Sequence, residues 1–283
     1  MTPTPLLRPL PGAGLRRRVA LALPVAAWLG GLCTTSRAAG PVLLGGTGSG
    51  VAVLRRVLDG QAAPLSVVPN LGSGGGLKAL AAGQLDLAIA SRRPNAAERA
   101  AGLVEREVFR SPLVWAVNPD VAVRQATRAE LVALYQGHRT TWSDGRPVRL
   151  VLRPESDIDT LLLRALGPEM DAAISAASRR PGMTVALTDD EVALDIGRIP
   201  GALGTVTLGL VLAQDHTLPL LTVSDLPASD AALAAGRYPL VKRFYLVTRA
   251  RSTPEAAAVL QAVASRGTAE RLARLGCQAV GTA

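Results

Sequence analysis

The chain has 283 residues, of which 48% are hydrophobic and 19% are charged, and a formal net charge of +9 at pH 7. The basic residues are spread along the chain and aromatic residues make up only 3% of it, which does not fit a basic, aromatic-rich nucleic-acid surface. We therefore expect no nucleic-acid partner. The length is sufficient for two modest lobes with apolar cores.

Residues 1–39 have the pattern of a cleavable secretory signal peptide. Three arginines at 16–18 precede an apolar stretch at 19–32, and the small residues at 36–39 have cleavage-site spacing. The apolar stretch is shorter than the roughly 20 residues of a membrane span, and no later segment approaches that length. The sequence therefore predicts a protein exported to the periplasm of a bacterium and soluble there.

Two alternatives remain open for this leader. Cys33 could mark a lipoprotein, although Leu32 precedes it where lipoprotein cleavage sites carry a small residue, and the arginine run could belong to a weak twin-arginine signal. Removal of residues 1–39 takes away five arginines and no acidic residue, so the net charge falls from +9 to +4. Cys277 is then the single cysteine, which excludes an intrachain disulfide.

Two glycine-rich turns open the mature chain. A predicted strand at 41–46 leads into the first glycine turn (residues 45–50, GGTGSG) and a helix at 51–60; a strand at 65–70 leads into the second glycine turn (residues 72–76, GSGGG) and a helix at 77–82. Glycine allows a ligand close to backbone N–H groups at a helix start. Either turn could be an ordinary connection, but two in tandem, each with a serine, favour a small-oxyanion site.

A third predicted strand at 85–91 completes the order strand, helix, strand, helix, strand. This order predicts a parallel sheet with right-handed crossovers. Ligands of such sheets bind at the carboxyl ends of the strands. Both glycine turns and the pair Ser91 and Arg92 should therefore lie at one edge of the sheet.

After residue 119 the pattern of strands and helices starts again. Thr127 with Glu130, and Thr188 with Glu191, predict capping boxes for helices that end near residues 135 and 198. Further helices are predicted at 157–166 and 169–179, strands at 111–119, 148–154, 202–208 and 238–249, and two final helices at 254–265 and 268–275. We predict one lobe from residues 40–115 with 240–283, and a second from residues 116–239.

Five motifs resemble, in order and spacing, the phosphate-binding periplasmic proteins of ABC-type uptake systems. They are GTGSG, GSGGGLKALAAGQLDLAIASR, TTWSDGRPVRLVLRPES, GALGTV and YPLVKRFYLVT, and the similarity runs from about residue 43 to residue 276. The resemblance implies an α/β, two-lobed periplasmic-binding-protein fold of type II, the Venus-flytrap arrangement. It also implies a receptor, not an enzyme, that grips phosphate or a similar oxyanion and delivers it to a permease in the inner membrane. We expect a monomer without a cofactor.

Carried onto this chain, the resemblance implies a set of ligand-binding residues. Ser73 occupies the position of a serine whose hydroxyl and N–H bind the anion, and Arg153 that of an arginine that pairs with its charge. Gly50 stands where the family has a hydroxyl residue, with Ser49 the nearest substitute, and Ser91 stands where phosphate-selective members have an aspartate. The complete candidate set is Thr47, Gly48, Ser49, Ser73, Gly74, Ser91, Arg92, Arg153, Ser156, Asp157 and Thr160.

The segment after Arg153 departs from the family pattern. Asp157 and Asp159, with an isoleucine between them, stand where the family has Ser-Gly-Thr; a shift of one residue would recover Ser156 and Thr160 as hydroxyl donors. Two carboxylates aimed at a divalent anion would repel it. They could instead begin a helix and face solvent. Alternatively, one of them could accept the proton of a monoprotonated phosphate, or the ligand is not an inorganic oxyanion.

Metal, nucleotide and hydrolase sites are not predicted. His138 and His216, the only histidines, have no partner at metal-ligand spacing. The first glycine turn lacks the features of a P-loop and of a dinucleotide fold, and no GxSxG elbow is present. Three classes of function therefore remain open: a transport receptor for phosphate or a similar oxyanion, a receptor of the same fold for another ligand or a signalling role, and an exported enzyme or surface protein.

Overall fold

The computed structural model describes residues 40–61, 64–226 and 228–281. The predicted signal peptide at residues 1–39, including Cys33, lies outside the described residues. The described residues belong to one compact unit. Within them the chain forms eleven strands and eleven helices.

The first part of the chain alternates strands and helices, as the sequence predicts. Its elements are β1 (Val42–Gly46), α1 (Gly48–Leu58), β2 (Leu65–Val68), α2 (Gly72–Ala81), β3 (Leu87–Ala90), α3 (Ala96–Ala100) and β4 (Leu103–Val117). Strand β1 pairs in parallel with both β2 and β3. The predicted parallel sheet is therefore confirmed, and both glycine turns follow strands of that sheet.

The remaining part of the chain adds seven strands and eight helices. They are β5 (Gln125–Ala126), α4 (Arg128–Gln136), β6 (Arg149–Leu152), α5 (Ile158–Arg164), α6 (Pro168–Arg179), β7 (Thr184–Val185), α7 (Asp189–Arg198), β8 (Ala202–Thr207), α8 (Leu208–Ala213), β9 (Leu220–Val223), α9 (Asp230–Ala234), β10 (Val241–Arg249), α10 (Pro254–Val263), α11 (Arg266–Arg274) and β11 (Gln278–Ala279). Both predicted capping boxes, at the starts of α4 and α7, are confirmed.

Strand β4 connects two groups of strands. Its residues up to Pro112 pair antiparallel with β10, and its residues from Leu113 onward pair antiparallel with β8. The order along the sheet is β2-β1-β3-β10-β4-β8-β6-β7. One buried apolar cluster joins Leu44 and Ile89 of the first part to Val192 and Ala202 of the second. The lobe boundaries at 115/116 and 239/240 stay a prediction.

Helices α1 and α2 begin earlier than the sequence-based expectation, and α3, α8 and α9 were not predicted. Helix α2 begins at Gly72 instead of residue 77, so the second glycine turn is itself the first turn of the helix. Helix α8 was not predicted, because residues 202–213 form one nearly continuous apolar run in which periodicity does not separate a strand from a buried helix. The chain turns from β8 into α8, and α8 packs against α1.

The glycines of α2 set how closely the two glycine turns approach each other. A Cβ atom on Gly76 would lie 2.7 Å from the Cα of Gly46, whereas a Cβ on Gly75 would meet only the Leu71 side chain, at 3.4 Å. We expect Gly76→Ala to lower the free energy of unfolding by about 1–3 kcal/mol, because β1 must move. Gly75→Ala is the matched control and should be neutral or stabilise by up to about 1 kcal/mol. Denaturant unfolding measures both, and equal stabilities would contradict this close packing.

Candidate ligand-binding cleft

A cleft of about 320 Å³ lies at the carboxyl ends of β1, β3 and β6, beside the amino termini of α2 and α7. Nine of the predicted residues line it: Thr47, Gly48, Ser73, Gly74, Ser91, Arg92, Arg153, Ser156 and Asp157. Ser49 and Thr160 do not line it. The Ser49 side chain is fully buried, and the Thr160 hydroxyl donates to the carbonyl oxygen of Arg153 at 3.3 Å. Both residues therefore contact the protein itself.

Ser73 and Ser91 join the second glycine turn to the end of β3. The Ser73 Oγ accepts the Ser91 N–H at 3.0 Å and lies 3.0 Å from the Ser91 Oγ. No side chain at the N-cap position, Leu71, caps α2. Because the first N–H groups of a helix lack partners within it, the start of α2 presents uncapped donors beside two hydroxyls. This part of the cleft can bind a small anion.

Arg92 lines the cleft but is held by an acidic neighbour. Its guanidinium donates two hydrogen bonds to Glu98, at 2.7 and 2.8 Å. These side-chain hydrogen bonds lower the pKa of Glu98 and raise the pKa of Arg92. Glu98 also closes the capping box of α3 with Asn95. The charge of Arg92 is therefore balanced before any ligand arrives.

The first glycine turn is occupied by a carboxylate that the sequence did not predict. Oδ2 of Asp189, the first residue of α7, accepts hydrogen bonds from the Thr47 hydroxyl, the Ser49 N–H at 3.1 Å and the Ser49 hydroxyl at 2.9 Å. Asp189 is only 4% exposed. The donors expected to meet an oxyanion here meet a side chain of the protein.

A buried lysine completes this arrangement. The Lys242 Nζ, on β10, donates to Oδ1 of Asp189 at 2.7 Å. It also lies 2.9 Å from Oδ1 of Asp159, but outside hydrogen-bond geometry, so that oxygen is buried without a donor. Lys242 and Asp159 are each 1% exposed. The sequence analysis did not identify Lys242 as a site residue. Its spacing carried a signal, because Lys242 lies on the same face of β10 as the buried Phe244 and Leu246.

Arg153 is also engaged by the protein. Its Nη2 donates to Oδ2 of Asp157 at 2.8 Å, and its Nη1 donates to the carbonyl oxygen of Ala186 at 3.0 Å. Asp157 caps α5 through the N–H of Asp159, at 2.9 Å. The suggestion that both aspartates stand at the start of a helix is right, because Asp157 is the N-cap of α5 and Asp159 lies in its first turn. The suggestion that they face solvent is wrong for Asp159, which is 1% exposed. The turn after Asp157 directs Asp159 inward to Lys242.

The pKa values distinguish Asp159 from Asp189. Burial raises the pKa of Asp159 to about 6; Lys242 opposes this rise and the charge of Asp189 adds to it. Burial also acts against the charge of Asp189, but Lys242 and Arg153 outweigh it and hold the pKa of Asp189 well below its ordinary value. Burial acts against the charge of Lys242 too, yet Asp159 and Asp189 raise its pKa above the ordinary value. Asp189 and Lys242 are thus a fully ionised pair.

The comparisons with known proteins agree with this architecture. Residues 34–266 match the family model described as a PBP superfamily domain. The chain belongs to the PBP superfamily. No curated protein sequence matches the chain. Within the part of this PBP superfamily member that the structure describes, no helix has the length and apolar character to cross a membrane. No cluster of three or more His, Cys, Asp or Glu side chains in the same residues could hold a metal ion.

Solved structures with the same fold cover most of the chain. A Clostridium perfringens protein, described as a phosphate ABC transporter substrate-binding protein with bound phosphate, is 16% identical with a TM-score of 0.68, over 85% of this chain and 100% of its own. A phosphate-binding protein from Stenotrophomonas maltophilia is 14% identical with a TM-score of 0.62, over 86% and 92%. An ABC-type phosphate transport receptor from Vibrio cholerae is 18% identical with a TM-score of 0.54, over 84% and 99%. The predicted α/β periplasmic-binding-protein fold is confirmed.

The raised pKa of Asp159 predicts a pH dependence of stability. Between its ordinary value of 3.8 and about 6, the folded protein holds a proton that the unfolded chain has lost, so stability should fall as the pH rises through this window. Asp159→Asn removes this loss. From pH 4 to pH 7 we expect the variant to gain stability relative to the parent by up to about 3 kcal/mol.

Urea unfolding at a series of pH values measures this difference. Asp215→Asn is the matched control, since the Asp215 side chain is 73% exposed and pairs with Arg56 instead of with Lys242. The control should follow the parent protein across the same pH range. A difference between Asp159→Asn and the parent that does not change with pH would contradict the raised pKa.

Proposed function

We propose that this protein is a periplasmic solute-binding receptor, not an enzyme, that captures phosphate or a similar small oxyanion and delivers it to an ABC-type permease. The observation that carries the proposal is the open part of the cleft. There the uncapped amino terminus of α2 lies beside the paired hydroxyls of Ser73 and Ser91. Neutral donors of this kind stabilise an anion through the helix dipole and hydrogen bonds.

The relatives support the same ligand class. The proteins from Clostridium perfringens, Stenotrophomonas maltophilia and Vibrio cholerae are each described by phosphate binding or phosphate transport. The cleft volume of about 320 Å³ is at the lower end of small-molecule sites, which span roughly 300–1,000 Å³. A small ligand is therefore favoured over a peptide or a large cofactor.

A receptor of the same fold for a different small ligand is the second candidate. The observation that favours it is that two buried cations, Lys242 and Arg153, are already paired with carboxylates. Lys242 pairs with Asp189, and Arg153 pairs with Asp157. Ile158, Leu161 and Leu187 also line the cleft and offer apolar surface. Such a cleft suits a ligand of low charge with an apolar part.

Substitution of Ser73 tests the proposed site. Phosphate should raise the melting temperature of the parent protein in a saturable manner, since ligand at 100 times Kd stabilises a protein by about 2.7 kcal/mol. We expect Ser73→Leu to abolish this shift, because the larger side chain fills the cleft at the start of α2. Ser252→Leu, at an exposed loop position outside the cleft lining, is the matched control and should retain the shift.

Calorimetric titration with phosphate, sulfate and a panel of neutral and organic anionic solutes separates the two candidates. Binding of an inorganic oxyanion that Ser73→Leu removes supports the first. Binding of organic or neutral solutes alone, lost in the same variant, supports the second. Retention of affinity in Ser73→Leu would remove the second glycine turn from the site.

A further inference from the structure

The first glycine turn has the geometry of an anion site, yet its donors converge on the protein itself. Thr47 and Ser49 donate three hydrogen bonds to a single carboxylate oxygen, Oδ2 of Asp189. Asp189 lies 142 positions after Thr47 in the chain. Helix α1 has eleven residues, no acidic residue in its first turn and no side-chain hydrogen bond from its N-cap. A negative charge near the amino terminus of a helix is stabilising. For α1 this charge is the carboxylate of Asp189, which belongs to α7.

The approach of α7 depends on a glycine of that turn. A Cβ atom on Gly48 would collide with the Asp190 carboxylate, next to Asp189. The same Cβ atom would lie 3.4 Å from the Cβ of Asp189, so glycine at position 48 leaves room for the start of α7 beside the first turn. The glycine allows the protein's own carboxylate to enter the turn, as glycine would allow a ligand in an ordinary anion site.

The two cations near Asp189 already have carboxylate partners, so neither is free to neutralise a second anion at this position. Lys242 contacts both Asp189 and Asp159, and Arg153 pairs with Asp157 and lies 3.8 Å from Asp189. An oxyanion that entered the first turn would have to displace Asp189 or lie against it. The second turn, by contrast, has no carboxylate among the recorded partners of Ser73 and Ser91.

We propose that Asp189 is a built-in anion that fills the first glycine turn and determines the specificity of the cleft, confining the ligand to the second turn and disfavouring divalent oxyanions. This inference rests on the proposed receptor function and adds the residue that controls it. Removal of the Asp189 carboxylate should open an oxyanion site at α1. That site would hold Thr47, Ser49 and the ammonium of Lys242, which would have lost one of its two carboxylate neighbours.

Sulfate is the probe, because its charge is fixed near neutral pH. Titration calorimetry should show that Asp189→Ala binds sulfate at least about tenfold more tightly than the parent protein, since a carboxylate is replaced by space beside a cation. Asp190→Ala is the matched comparison: it removes the same charge from the next residue, which also lines the cleft but bonds Gln214 instead of the turn. Its gain should be about threefold or less, as expected for a general charge effect.

A second readout covers the case in which Asp189→Ala is unstable without its buried carboxylate. Sulfate or formate, added at constant ionic strength, should then restore the circular dichroism of the folded state or raise the melting temperature in a saturable manner. The parent and Asp190→Ala should not respond in this way to formate. Equal sulfate affinities of Asp189→Ala and Asp190→Ala, or failure of both anions to restore an unfolded variant, would overturn the inference.

The parent protein distinguishes failure of this inference from failure of the proposed function. If the parent binds phosphate and Asp189→Ala gains nothing for sulfate, Asp189 does not fill an anion position, and the receptor function stands. If the parent binds no oxyanion while Asp189→Ala does, Asp189 has the proposed role, and phosphate is excluded as the natural ligand.

Discussion

The buried ion pair between Asp189 and Lys242 is the interaction on which the cleft depends. It joins the start of α7 to β10, and Asp189 extends it through Thr47 and Ser49 to the start of α1. Two charges taken out of water are costly unless geometry and additional hydrogen bonds compensate them. Here four donors surround one carboxylate, so both pKa shifts favour the ionised pair. Loss of one partner alone would weaken the compensation of the other buried charge: Lys242 would keep only Asp159, and Asp189 would keep the donors of Thr47 and Ser49.

This pair changes what the rest of the cleft can use for recognition. With Lys242, Arg153 and Arg92 each matched by a carboxylate, little surplus positive charge is left for a ligand. Recognition then falls to neutral donors at the start of α2 and to the hydroxyls of Ser73 and Ser91. Such donors are fixed by the backbone and need little reorganisation on binding. The proposed receptor would therefore select its ligand by shape and hydrogen-bond direction more than by charge.

Much of the fold could be predicted from local signals, whereas the charged cluster could not. The alternation of apolar runs and glycine turns identified β1 to β3, and Thr127 and Thr188 marked helix starts. Both signals are local, because helix caps and strand periodicity depend on residues that are close together in the sequence. The contact of Asp189 with Thr47 spans 142 positions, and no local pattern encodes it. Lys242 did carry a signal: a charged side chain at an inward position of a strand needs a buried partner. Asp159 was misjudged because a helix-start aspartate can face either way.

The two glycine turns therefore have different roles despite similar sequences, and packing explains the difference. Gly76 and Gly46 bring the two turns so close together that there is no room for a side chain between them. Gly48 gives α7 room to insert its carboxylate into the first turn, whereas among the described residues the side chain of Ser73 in the second turn hydrogen-bonds Ser91 and no acidic residue. A glycine-rich turn at a helix start thus specifies an anion position without specifying whether that anion is a ligand. In this chain, an aspartate 142 positions further on supplies the anion for the first turn.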